Sequence, residues 1–103
     1  VGEFIDANAD RPITIGDLSA HAGVSTRSLF AGFKKYRNTT PMAHLRFVRM
    51  QRTHRDLQSP HDKHTTVTEI ALNWGFAHLG RFTAEYRRMF GESPSETLRL
   101  ARR

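Results

Sequence analysis

Residues 66–94 read TVTEIALNWGFAHLGRFTAEYRRMFGESP, and residues 14–46 carry the same pattern. TIGDLSAHAG (14–23) lies over TVTEIALNWG (66–75) at an offset of 52, so that Thr14, Ile15, Asp17, Leu18 and Gly23 meet Thr66, Val67, Glu69, Ile70 and Gly75. LFAGFKKYRNTTPMAHLR (29–46) lies over FTAEYRRMFGESPSETLR (82–99) at an offset of 53. There Leu29 meets Phe82, Phe33 meets Tyr86, Lys34-Lys35 meets Arg87-Arg88, Thr40-Pro41 meets Ser93-Pro94, and Leu45-Arg46 meets Leu98-Arg99. The second copy therefore holds one extra residue after its glycine. An internal repeat sets the unit of the fold and is read before anything else.

Each copy reads as helix, glycine turn, helix. Ile15, Leu18 and Ala22 form one helical stripe. Gly23 supplies the permissive backbone of a sharp turn, and Ser25 or Thr26 offers the cap for the next helix. That helix, about residues 26–37, is expected to bury Leu29, Phe33 and Tyr36. In the second copy Val67, Ile70, Ala71 and Trp74 form the stripe, Gly75 the turn, and Phe82, Tyr86 and Phe90 the buried face of a helix over about 78–90. Two short helices joined by a tight glycine turn make a helix-turn-helix. One such pattern is weak evidence; two with matched basic pairs are much stronger.

Between the copies, Thr40 caps a helix that starts on Pro41. Leu45, Val48, Met50 and Leu57 support one long helix over 41–58, which Ser59-Pro60 ends. SPHDKHTT (59–66) reads as a polar loop. Val1, Phe4 and Ile5 suggest an opening helix that closes before Arg11-Pro12, and Ser93-Pro94 starts a last helix through Leu98. The expected fold is all-α, with about seven helices. Residues 1–40 form a first helix-turn-helix lobe, 41–58 a long linker helix and 59–103 a second lobe, together one binding domain.

The chain has 103 residues, 16 Lys+Arg against 10 Asp+Glu, and no cysteine, which excludes disulfides and thiolate metal sites. No apolar run approaches the ~20 residues of a membrane span, and no signal peptide is visible. The sequence starts at Val1 inside an amphipathic segment, so it reads as part of a longer protein. Basic charge favours a polyanionic partner, and its distribution says more than its sum. Residues 1–22 hold Glu3, Asp6, Asp10 and Asp17 against Arg11 alone, whereas residues 26–55 hold Arg27, Lys34, Lys35, Arg37, Arg46, Arg49, Arg52 and Arg55 and no acid.

A helix-turn-helix places its second helix in the major groove and anchors around it on phosphates. An 18-residue linker helix spans roughly 27 Å, against about 34 Å between successive major-groove faces of B-DNA. One polypeptide could therefore occupy two adjacent groove segments. The sequence resembles the DNA-binding domain of the AraC/XylS family of bacterial transcription regulators. The resemblance runs through DLSAHAGVSTRSLFAGFKK, TPMAHLRFVRMQRTHRDL and VTEIALNWGFAHLGRFTAEYRRMFGESPSETLR. It implies sequence-specific binding of double-stranded promoter DNA, contact with RNA polymerase, a cytoplasmic place on the bacterial nucleoid, and an effector or dimerisation domain N-terminal to this segment. Activation and repression are not distinguished by these residues. The resemblance puts base-facing positions at Thr26, Arg27, Phe30 and Ala31 in the first reader and at Leu79, Gly80, Arg81, Thr83 and Ala84 in the second. Backbone positions fall on Lys34, Lys35, His78, Arg87 and Arg88. The family often has serine where Gly80 stands and arginine where Ala84 stands, which departs from strong base reading by the second lobe.

Other chemistry finds little support. Arg27 can pair with guanine through two hydrogen bonds, or contact a phosphate; Phe30 can touch a thymine methyl, or join the core. Arg81 can meet base or backbone. Trp74, Phe76, Phe82, Tyr86 and Phe90 lie at core spacing and are not read as stacking platforms. His61 and His64 lack a third ligand nearby and read as loop. Asp17, Ser19 and His21 share one short helix and cannot form a nucleophile–base–orienter geometry. An enzyme, a cofactor, a metal site and a membrane partner are not expected. A basic module for RNA or an acidic protein is the rival reading, weakened by the absence of glycine–aromatic RNA-binding signatures.

Overall fold

A computed structural model describes residues 2–59 and 64–102 of the chain. The described residues form seven helices and no strand: α1 (Gly2–Asn8), α2 (Ile15–Ala22), α3 (Thr26–Arg37), α4 (Pro41–Gln58), α5 (Val67–Asn73), α6 (Leu79–Phe90) and α7 (Pro94–Ala101). Val1, and Pro60 and His61 of the expected loop, lie outside them. No helix among them is long and apolar enough to cross a membrane.

Local chemistry sets the ends. Thr14 caps α2 by accepting from the Asp17 amide while the Asp17 carboxylate accepts from the Thr14 amide, a reciprocal box that satisfies two orphan donors. Thr66 caps α5 through the Glu69 amide at 3.1 Å. Ser25, of the two candidates, caps α3 through the Ser28 amide. Thr40 accepts from the Ala43 amide at the start of α4, and Ser93 caps α7 with Pro94 in its first turn. Gly23 and Gly75 both turn with positive φ, 68° and 87°, where a side chain would be strained.

The chain divides into two compact units, one ending at Val48 and the other beginning at Arg49. In the first, Ile5, Ala9, Ile13, Leu18, Leu29, Phe33, Leu45 and Val48 form the core. In the second, Met50, Leu57, Ile70, Ala71, Phe76, Phe82, Tyr86 and Leu98 do so, with Val67, Trp74, Leu79 and Phe90 packed against them. Helix α4 serves both: Leu45 and Val48 close the first core, and Met50 and Leu57 open the second. The repeat accordingly extends beyond the two helix-turn-helix pairs. Ile5 matches Leu57 at the 52-residue offset, and both are fully buried. Pro41 and Leu45 match Pro94 and Leu98 at the 53-residue offset, and all four are buried. Each unit is thus an opening helix, a helix-turn-helix and a closing helix.

Two expectations require correction. Tyr36 is 78% exposed. It continues the apolar stripe of α3 into the last turn, but the neighbours there, Gly2, Ala22 and Val24, are too small to cover it. Helix α7 runs on to Ala101, not Leu98, because no breaker follows Leu98.

Candidate nucleic-acid interface

Helix α3 is held by Leu29 and Phe33, both buried, on one face. Thr26, Arg27, Ala31, Lys34 and Lys35 are exposed. Arg27, Ala31 and Lys34 recur at i, i+4, i+7 and share one outward stripe. Phe30 is 37% exposed and takes no part in the core, so the core alternative for it does not hold. Lys34, Lys35 and Arg37 fall in the last turn of α3, where cations complement the helix dipole.

Helix α6 repeats this arrangement. Phe82 and Tyr86 are fully buried, and Gly80, Arg81, Ala84, Arg87 and Arg88 are exposed. Gly80, Ala84 and Arg87 form the outward stripe, and at the 53-residue offset they match Arg27, Ala31 and Lys34 one for one. Leu79 departs from the outward position expected of it: it is half-buried against the second core, because at i−3 from Phe82 it borders the buried stripe. Thr83 is half-buried as well, and its hydroxyl donates to the Leu79 carbonyl at 2.8 Å.

The two helices begin differently. Ser25 supplies a side-chain cap to α3, whereas His78 stands at the cap position of α6 without a side-chain cap hydrogen bond. The exposed His78 therefore leaves the first amides of α6 without side-chain acceptance from the cap residue. Sequence reasoning missed Ser28, which is exposed and is the counterpart of Arg81 at the 53-residue offset. The repeat itself carried that signal.

Behind α6 lies a polar chain inside the second core. Tyr86 donates to the Thr97 hydroxyl at 2.7 Å, Thr97 donates to a Glu92 carboxylate oxygen, and His54 Nδ1 lies 2.7 Å from the Tyr86 oxygen. Because the single Tyr86 proton points to Thr97, His54 Nδ1–H must be the donor to Tyr86. The chain ties α6 to α4 and α7. Burial pushes the Tyr86 phenol up to about 12, with Glu92 adding to the shift and the Thr97 hydrogen bond opposing it. The His54 ring stacks on Phe90 with centroids 3.9 Å apart.

No group of three or more potential metal ligands occurs among the described residues, and His61 lies outside them.

The helix-turn-helix domain family matches residues 18–100. A probable thc operon regulatory protein of Rhodococcus erythropolis is 45% identical over 97 residues, which span 94% of this chain and 29% of that protein. The XylDLEGF operon transcriptional activator 2 of Pseudomonas putida is 42% identical over 100 residues, spanning 97% of this chain and 64% of that protein. The chain thus spans less than two thirds of either relative. The crystal structure of a probable AraC family transcriptional regulator from Rhodopseudomonas palustris superposes with a TM-score of 0.91 at 48% identity, covering 99% of this chain and 94% of that one. With a matched family spanning both repeats and a close structural relative of nearly equal extent, the chain belongs to the AraC/XylS family of helix-turn-helix transcription regulators.

Proposed function

We propose that this chain binds double-stranded promoter DNA in a sequence-specific manner, with α3 and α6 entering adjacent segments of the major groove. The observation that carries the reading is the repeated outward stripe, Arg27/Ala31/Lys34 on α3 and Gly80/Ala84/Arg87 on α6, each backed by its own core. Arg27 reads a base, with Thr26, Phe30 and Ala31 beside it. In the second reader Gly80 and Ala84 let the backbone approach closely, Leu79 and Thr83 border the contact, and Arg81 reaches base or phosphate. Lys34, Lys35, Arg87 and Arg88 hold phosphates, and so does the open amide end of α6 at His78. The first lobe then reads by hydrogen bonding, and the second by methyl contact and shape.

The names of the relatives, an operon regulator and an operon activator, support transcription regulation, and from that role we infer a place in the bacterial cytoplasm and RNA polymerase as a further partner. The greater length of those relatives supports an effector or dimerisation domain elsewhere in the full protein. No catalytic role is assigned.

Selection of bound duplexes from a random library tests the reading. One half of the recovered site is expected to carry more information than the other. Preference for single-stranded RNA over duplex DNA in a gel shift would sink it. Lys34→Ala and Arg87→Ala should each reduce the slope of log affinity against log salt by about 0.9, and an unchanged slope removes both from the phosphate contacts.

A further inference from the structure

A groove of about 300 Å³ runs beside α3, lined by Gly2, Ala22, Val24, Gly32, Tyr36 and Arg37 among others. It lies wholly within the first unit. Its origin is visible in the repeat: the matching residues of the second unit are His54, Trp74, Phe76, Glu85, Met89 and Phe90. Phe76 is buried, Trp74 and Phe90 pack on the core, and His54 stacks on Phe90. Where the second unit places the rings of His54, Trp74, Phe76 and Phe90, the first has Gly2, Ala22, Val24 and Arg37, and the Arg37 guanidinium packs against Gly2. Arg37 takes up the place at Gly2, and the small Ala22, Val24 and Gly32 leave the rest of the groove open to an apolar ring that the unit does not itself provide.

Its rim has a definite chemistry. Val24 is 43% exposed and Tyr36 projects beside the opening. Arg37 lines it, and the Lys35 ammonium lies 5.3 Å from the centre of the Tyr36 ring. Among the described residues no carboxylate lines the groove. Gly32 and Tyr36 stand about 100° and about 140° round α3 from Ala31, clear of the Arg27/Ala31/Lys34 stripe, so an occupant does not compete for that face.

We propose that this groove docks a peptide segment of a partner protein that inserts an aromatic side chain and sets a neighbouring carboxylate on Arg37. Buried ring area supplies the affinity, and the cationic rim selects acidic segments. Occupancy of the groove does not depend on the DNA-binding reading.

A random peptide library displayed on phage, panned on the 103-residue chain, tests the proposal. Counter-selection uses two blocked variants. One is A22W/V24F, which gives the first unit the side chains of the second. The other is Gly32→Leu, built where an added Cβ meets nothing within 4 Å. Circular dichroism establishes which of them folds. Recovered peptides should carry Trp, Phe or Tyr close to Asp or Glu. The synthetic form of the best should shift the amide resonances of Val24, Gly32 and Tyr36, and should bind Arg37→Ala at least about tenfold more weakly. The proposal is overturned if nothing is enriched, if the peptides lack acid, or if they bind a folded blocked variant equally well. Concentration-dependent self-association of the chain that Gly32→Leu abolishes would also overturn it, by giving the groove to a second copy.

Discussion

The two units share one plan and differ in where they place large side chains. The second packs Phe76, Phe82 and Tyr86 into its core with Trp74 and Phe90 around them. The first has Val24, Leu29, Phe33, Ala22 and Arg37 at the same repeat positions. On the outward stripe the contrast reverses: the first presents Arg27 where the second presents Gly80. A repeated scaffold thus tolerates opposite allocations, because the backbone needs only the shared apolar stripe, the glycine turn and the proline that starts the closing helix. Everything else is free to diverge toward packing or toward recognition.

The sharpest way to break this comparison is to remove a ring from the denser core. Phe82→Ala is expected to cost about 3–5 kcal/mol, since a fully buried phenyl leaves a cavity as well as lost transfer energy. Leu29→Ala, the matching change, should cost less, because a leucine removes less apolar volume from a core than a phenyl does. Urea unfolding of both variants measures the difference. Equal losses would mean that Leu29, the smaller side chain, is packed more tightly for its size than Phe82.

Tyr86→Phe separates the polar chain from the packing. Phe33 is its counterpart and has no hydroxyl, so only the second unit should respond. Removing the oxygen leaves the His54 N–H and the Thr97 hydroxyl short of a partner, at a cost of about 1–3 kcal/mol. The same hydroxyl gives a pH signature. The unfolded phenol titrates near 10, whereas burial raises the folded value to about 12. The unfolded state therefore loses its proton first. The stabilisation is complete below about pH 10 and is lost as pH rises through about 12. Alkaline denaturation of the wild type should show this decline, and Tyr86→Phe should flatten it.

Much of this difference was legible in the sequence. Thr40-Pro41, Ser93-Pro94, Gly23 and Gly75 marked the ends of elements because each acts on its own backbone, and the apolar spacing placed both cores. Tyr36 was misjudged because periodicity gives a direction and not a cover; whether anything lies opposite depends on Gly2 and Ala22, distant in sequence. Leu79 was misjudged because it sits at the edge of a stripe, where the spacing fits either side. The His54–Tyr86–Thr97–Glu92 chain was invisible because it joins polar atoms from three separate segments: the spacing marks Tyr86 as core through its ring and says nothing of its hydroxyl, and His54, Glu92 and Thr97 each alone read as surface.

The readers themselves can be exchanged. Arg27→Ala should remove about 1–3 kcal/mol of discrimination at one base position of the half-site bound by α3. Gly80→Arg should create discrimination in the other half, since an added Cβ at Gly80 meets no neighbour within 4 Å. Binding to a panel of single-base operator variants reads both effects. Uniform weakening by Arg27→Ala across the panel would place that arginine on phosphate instead. A Gly80→Arg chain with unchanged preferences would show that α6 does not approach base edges.

The smallest expected effect tests how α3 and α6 begin. Ser25→Ala should destabilise the chain by about 1 kcal/mol, because the Ser28 amide loses its acceptor. His78→Ala should change stability little, because His78 makes no side-chain cap hydrogen bond. His78→Ser is the informative substitution. A serine there can accept from the first amides of α6 and should raise stability by up to about 1 kcal/mol. Those same amides are the ones proposed to meet a DNA phosphate, so the serine oxygen would compete with it. Thermal unfolding and equilibrium binding to duplex DNA should therefore move in opposite directions, with stability up and affinity down. If both rise together, or affinity stays fixed while stability climbs, the open end of α6 is a weak point of the fold and not a phosphate contact.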